Sequence, residues 1–234
     1  MNWQRTVYFI IGLLIGAVFH EYMHGRLADM RGDHTARNAG RLTLNPIPHI
    51  DPIGTILMPI LLLVISRGRF AFAYAKPVPV NPFFLKNPRR DMVLIALAGP
   101  LTNFVLAAAI SLVAMGIRLA TGRQFAVRTG SESIVTTGGA AWGGDLFLLI
   151  LMVAVVNVML GFFNLIPVPP LDGSHVLEYF LPPQARQSYQ SISRFGFLIV
   201  LLFLYLAGGV FYSAMRPFFS LVERAVLGPV MYFV

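Results

Sequence analysis

The sequence predicts an all-α polytopic membrane protein, and three observations predict it. Of its 234 residues 56% are hydrophobic and only 12% are charged, with a mean hydropathy of +0.71. A soluble globular domain carries about twice that charge. Apolar runs close to or beyond the ~20 residues that a bilayer demands recur along the chain. The basic residues gather mostly in the connections between those runs, where they act as topology signals. The net charge of +8 is dispersed among apolar spans, so anionic lipid is the expected partner and nucleic acid is not. With no cysteine, disulfides and thiolate metal sites are excluded. The chain has room for four to six membrane segments and no large soluble domain. It reads as one integral-membrane domain, 1–234.

The elements follow in order. The first helix is expected over 7–29; its opening resembles a signal peptide, but no small-x-small cleavage pattern precedes His20, so it reads as retained. A polar loop with Arg31-Gly-Asp and Asn45-Pro-Ile-Pro as breakers follows. The apolar stretch 53–66 is short, about 21 Å as a helix, and carries Pro59. Residues 70–80 alternate and close on Pro77 and Pro79, as an extended or edge strand does. Spans are expected at 92–119, 146–166 and 195–215. The Gly/Ser/Thr-rich stretch 121–144 reads as a loop, and the tail from Arg216 onward as an interfacial segment.

Both flanks of 53–66 are basic, which fits a re-entrant hairpin better than a crossing. With that assignment twelve basic residues fall inside and six (Arg5, Arg118, Arg123, Arg128, Arg216, Arg224) outside. The expected location is a prokaryotic cell membrane, with the second half of the first helix towards the cytoplasm.

That half contains His20-Glu21-Tyr22-Met23-His24. On a helix the two histidines are one turn apart and share a face, so both imidazoles can grip one metal ion. Glu21 lies about 100° round from His20, within reach of a proton on a water at that metal. Such groups at the edge of hydrocarbon are costly unless paired or functional. The pattern therefore predicts a metalloprotease working within a membrane. A zinc hydrolase needs a third protein ligand. Soluble patterns fail: Leu27 and Met30 stand where a metzincin has Gly and His, and no Glu occurs between Glu21 and Glu132. Asp29 and Asp33 read as a solvated helix end, and Asp51, Asp91 and Asp145 as interfacial. Asp172, in Asn164-Leu-Ile-Pro-Val-Pro-Pro-Leu-Asp-Gly173, is either a metal ligand held by a Pro-rich turn or a solvated turn residue.

His20-Glu-x-x-His24, Ala98-Gly-Pro-Leu-Thr-Asn103 and Asn164-x-x-Pro167 leading to Leu171-Asp-Gly173 occur in that order. Together they resemble the site-2 protease family, the intramembrane zinc metalloproteases of peptidase family M50. The resemblance implies one zinc ion held by His20, His24 and Asp172, with Glu21 as general base for the attacking water. It implies a core of three transmembrane helices (7–29, 92–119 and 146–166). An extended segment near 70–80 would receive a transmembrane substrate by strand addition. It also implies transmembrane proteins or signal-peptide remnants as substrates, in a small prokaryotic form without PDZ or CBS domains.

Asn103 reads either as a polar residue joining helices or, with the family, as a substrate contact; Asn164 as a helix cap or a substrate contact. His175 is a candidate neighbour of Asp172, while His34 and His49 read as solvated. The rival readings are a non-proteolytic zinc-binding protein or carrier and an inactive scaffold. The physiological substrate, the need for a prior cut and the oligomeric state are not legible.

Overall fold

The computed structural model describes residues 3–65, 75–122, 124–128, 134–137, 142–229 and 231–233. The first apolar run becomes helix α1, Trp3–Met30, whose 28 residues extend about 42 Å. It stops at Gly32, whose φ of +107° lets the chain turn back while Asp33 N–H bonds Ala28 O at 3.0 Å. A single turn, α2 (Thr35–Asn38), follows.

The short apolar stretch is helical but not uniformly so. Asp51 opens it by accepting from Ile53 N and Gly54 N at 2.9 and 2.7 Å. A wide π-type turn over Pro52–Leu57 then tightens into α3, Met58–Ile65. Pro59 does not interrupt this helix: its missing N–H falls at the junction where the wide turn passes into α3. The expected strand over 70–80 is not seen. Residues 75–80 carry no regular structure, since Pro77 and Pro79 cannot donate to a ladder, and 70–74 lie outside the described residues.

Pro88 starts α4, Pro88–Thr121. Asp91 accepts from Asn87 N at 2.9 Å at its first turn. The stretch expected to be a loop holds β1 (Gln124–Arg128) antiparallel to β2 (Ile134–Thr137). Gln-Phe-Ala-Val-Arg alternates and Ile-Val-Thr-Thr is β-branched, a signal masked by the surrounding glycines. Then come α5 (Trp142–Asn164), α6 (Gly173–Phe180), α7 (Pro183–Ile192) and α8 (Gly196–Leu227). Helix α8 continues 12 residues past the expected end at 215, so much of the tail is helix. β3 (Met231–Phe233) pairs parallel with β1, giving the order β2-β1-β3.

Among the described residues the fold is thus helical with one small sheet, and four helices are long and apolar enough to cross a membrane: α1, α4, α5 and the run ending in α8. The exposed stripe Leu198, Leu202, Tyr205, Leu206 and Val210 on α8 suits lipid, where an apolar face carries no hydration cost.

The chain divides into two units, Met1–Gly16 with Pro100–Val234, and Ala17–Gly99; the divisions fall within α1 and α4. In the first, Phe147, Leu151, Ala154 and Val158 of α5 pack with Ala107 and Ala114 of α4 and Val222, Val226 and Leu227 of α8. In the second, a smaller core joins Ala28, Leu85 and Ile95.

Candidate active site

His20, Glu21 and His24 all lie on α1 within the second unit, as the motif's spacing requires. The imidazoles are buried, 6% and 8% exposed, with ring centroids 4.5 Å apart and planes at 85°. His24 donates from Nδ1 to the carbonyl of Ile95 at 2.7 Å. That bond assigns the proton to Nδ1 and leaves the Nε2 lone pair for a metal. Pro100 has no N–H for Ala96 O; Ile95 O belongs to the same turn and has a second lone pair with which to accept from His24.

Gly99 completes the arrangement. A Cβ at this position would stand 2.5 Å from His24 Nε2 and 2.6 Å from both Nε2 and Cε1 of His20. The bare backbone of α4 therefore faces the two nitrogens that would bind a metal. Two imidazoles whose Nε2 atoms meet against a glycine, one with its tautomer fixed by a carbonyl, fit a zinc ion by the chemistry of the donors.

Glu21 is half-buried and accepts from the backbone N–H of Val78 at 2.8 Å. Val78 belongs to a strap, residues 76–81, held along its length. Lys76 N–H donates to His49 O at 2.9 Å, and Arg41 Nη2 donates to Lys76 O at 2.7 Å. Asn81 N–H donates to Asp33 at 2.6 Å. Gly25 gives the strap access to α1: a Cβ there would lie 3.0 Å from Val78 Cγ1. Sequence reading expected a substrate-binding strand here; the structure gives a non-strand segment whose central N–H holds the glutamate.

Several polar residues expected to be solvated or, for Asp91, interfacial are anchors instead. Asp33 is fully buried and also accepts from Thr35 N–H at 3.0 Å. Asp29 is buried against Arg37, Arg26 and His34, the last at 2.7 Å. Asp91 is buried with Arg31 3.4 Å away. His49 is buried, its Nε2 bonded to Thr43 O at 2.9 Å. The loop 31–51 must fold compactly to hold the strap, and these carboxylates supply its interior bonds. His34 is half exposed beside Asp29, as a surface partner.

The remaining candidates lie in the other unit. Asp172 precedes α6 with helical φ and ψ, and its side chain does not cap that helix. Gly173 is buried against the carbonyls of Leu165 and Ile166, so Asp-Gly begins a helix tightly packed on the end of α5 rather than an open turn. His175 is exposed, with Glu178 as its charged neighbour at 3.9 Å. Asn103 is fully buried and donates from Nδ2 to Gly16 O at 3.1 Å and Asn157 Oδ1 at 2.9 Å. Asn157 donates to Val153 O at 2.8 Å. The sequence reading missed Asn157, although an amide in mid-span among Val, Met and Leu signals a partner on another helix. Asn164 donates to Leu160 O at 3.0 Å, the helix-end role.

Paired histidines and a glutamate on a bilayer-length helix define a membrane metallohydrolase class. Comparison with known proteins narrows it. The model of peptidase family M50 matches residues 8–206. Among curated proteins, YwhC of Bacillus subtilis, whose name ascribes to it a zinc metalloprotease activity, is 35% identical over 195 residues, 83% of this chain and 78% of YwhC. Rip2 of Mycolicibacterium smegmatis, named likewise, is 30% identical over 198 residues, 83% of this chain and 65% of that protein. Rip2 of Mycobacterium tuberculosis is 31% identical over 215 residues, 91% and 73% of the respective chains. No solved structure matches. The chain belongs to peptidase family M50. It is a metalloendopeptidase and a multi-pass integral membrane protein, and zinc is the metal this membership implies.

Proposed function

We propose that the protein is a zinc-dependent intramembrane endopeptidase that hydrolyses peptide bonds in or near transmembrane segments, with His20, His24 and Asp172 holding one zinc ion per chain. The observation that carries the reading is the pair of buried imidazoles against Gly99, one oriented by Ile95 O, one residue from Glu21. A donor set of two neutral imidazoles and a carboxylate is the usual choice of a hydrolytic zinc site. The bound metal would supply Lewis acidity, polarising the scissile carbonyl and bringing the pKa of a water towards ~7.

Glu21 takes the proton of the attacking water on its carboxylate and returns it to the leaving amine nitrogen. Its bond to Val78 N–H fixes the carboxylate on the α1 face during both transfers. Asn103 and Asn164 serve the substrate site indirectly in this reading, Asn103 by joining α1 to α5 and Asn164 by closing α5. The active site lies towards the cytoplasmic side of a prokaryotic cell membrane, and 53–66 re-enters rather than crosses, as the distribution of basic residues favours. Substrates are transmembrane proteins or signal-peptide remnants, whose helices unwind locally before cleavage because helical carbonyls are hydrogen-bonded and screened.

The test compares wild type, Glu21→Gln and Asp172→Ala, each reconstituted in liposomes with zinc and a model transmembrane substrate. Zinc-dependent cleavage is expected in wild type alone. Glu21→Gln should keep its zinc and lose about 10²–10⁴-fold in rate, while Asp172→Ala should lose the zinc as well. Zinc bound equally by all three proteins, with no cleavage by any, would sink the protease assignment for that substrate, and zinc flux across the vesicle would establish a carrier.

A further inference from the structure

Away from the histidines, within the first unit, the end of α4 and the second half of α8 enclose an open cavity of about 760 Å³. Arg118, Arg216 and Arg224 line it, together with Glu223, Tyr212 and Ser220. Three guanidiniums thus share one cavity with a single carboxylate. Among the described residues none of the three has an ion-pair partner within 4.0 Å, and Arg118 Nε is buried without a hydrogen bond. Arg118 is half-buried and the other two are exposed at the cavity, and like charges so gathered repel one another unless an anion sits among them.

The cavity is shaped around Arg118. Gly228 has a φ of +78°, and a Cβ there would stand 2.6 Å from Arg118 Nη1 and 2.8 Å from its Cζ. A side chain at Gly228 would therefore displace the guanidinium from this position. Its depth is also set by the sequence. Arg118 occupies the last turn of α4, and Arg216 directly follows the apolar run from Gly196 to Met215. Both arginines therefore stand where hydrocarbon gives way to headgroups.

We propose that this cavity is a phosphate-binding site that takes the headgroup of an anionic phospholipid. Arginine forks match phosphate oxygens in pairs, and basic pockets between membrane helices accept such headgroups. Tyr212 offers a hydroxyl donor to the same group, while the Ser220 hydroxyl donates to Pro217 O at 2.9 Å, and Glu223 in the lining disfavours a second anion.

The experiment uses the full-length protein in nanodiscs, with native mass spectrometry and retention of labelled phosphatidylglycerol or phosphatidylcholine as readouts. Preferential retention of phosphatidylglycerol is expected, falling about fivefold for each arginine replaced by glutamine. Two variants keep the charge and alter the shape: Arg118→Lys, which loses the fork, and Gly228→Ala, which drives Arg118 from its seat. Both should weaken retention, whereas the exposed set Arg89→Gln, Arg90→Gln and Arg194→Gln should not. A parallel arm titrates inorganic phosphate: displacement of the lipid at millimolar phosphate would support the anion site with a soluble occupant, and persistence supports the headgroup. Equal retention of both lipids with no phosphate binding would overturn the proposal. So would equal losses in the exposed control set. None of these readouts depends on proteolysis, so failure of the peptidase reading and failure of this site are separable.

Discussion

Replacing Gly99 by alanine adds one methyl group at the most sensitive point of the candidate metal site. The new carbon would lie 2.5 Å from His24 Nε2 and 2.6 Å from His20 Nε2, against an ordinary contact of 3.4 Å or more. One imidazole, both, or the helix must therefore move by about 0.8–0.9 Å. Metal–ligand distances tolerate only about ±0.2 Å, so the shift exceeds what a zinc site absorbs. His24 cannot yield freely because its Nδ1 is tied to Ile95 O at 2.7 Å. Zinc affinity should fall by at least the ~10–100-fold typical of losing an orienting partner, and overpacking should cost about 1–3 kcal/mol of stability. The assay is competition for zinc against a chelator in detergent, paired with thermal unfolding of the zinc-free protein. Gly116→Ala is the control on the same helix: a Cβ there meets nothing within 4 Å, and removing a helical glycine is neutral or gains up to about 1 kcal/mol. Zinc binding by Gly99→Ala indistinguishable from both wild type and Gly116→Ala would refute the reasoning that the two Nε2 atoms define the metal position.

Two further outcomes follow from the same geometry. Val78→Pro deletes the N–H that holds Glu21, so the rate of the bound substrate should drop about 10–100-fold while zinc content and KM change little, checked by single-turnover cleavage and metal analysis. Replacing Asn103 and Asn157 by leucine, singly and together, should reveal a coupling of about 0.6–2 kcal/mol in a double-mutant cycle on unfolding, since each amide supports the other inside apolar helices.

The helical plan was legible because hydrocarbon imposes a length. The spans expected at 7–29, 92–119 and 146–166 became α1, α4 and α5 with ends moved by one to four residues, all outward except the end of α5, which stops two residues early. The histidine pair and Glu21 were legible for a similar reason, as a spacing of four is local to one helix. What the sequence concealed depends on distant partners. Nothing in Arg-Gly-Asp-His reveals that Asp33 will receive Asn81 N–H, 48 positions on, because a solvated and a buried aspartate are written alike. Gly99 reads as a packing glycine until α4 is seen to face two imidazoles. The strands at 124–128 and 134–137 were obscured by neighbouring Gly, Ser and Thr, and β1 also pairs with β3, about 100 residues later.

The strap across α1 has a consequence for how such a protein can be dissected and varied. Pro77 and Pro79 have no N–H, so within 77–79 the hydrogen that holds Glu21 comes from position 78 alone. That hydrogen belongs to the main chain, so every amino acid except proline would supply it. An alanine scan would cross this position and register only the lost packing of a buried valine, leaving the hold on Glu21 in place. A main-chain contact of this kind can thus be immune to ordinary mutation and silent in residue identity. Its signature is instead the pair of prolines that bracket it, which direct the backbone without touching the carboxylate they help to orient.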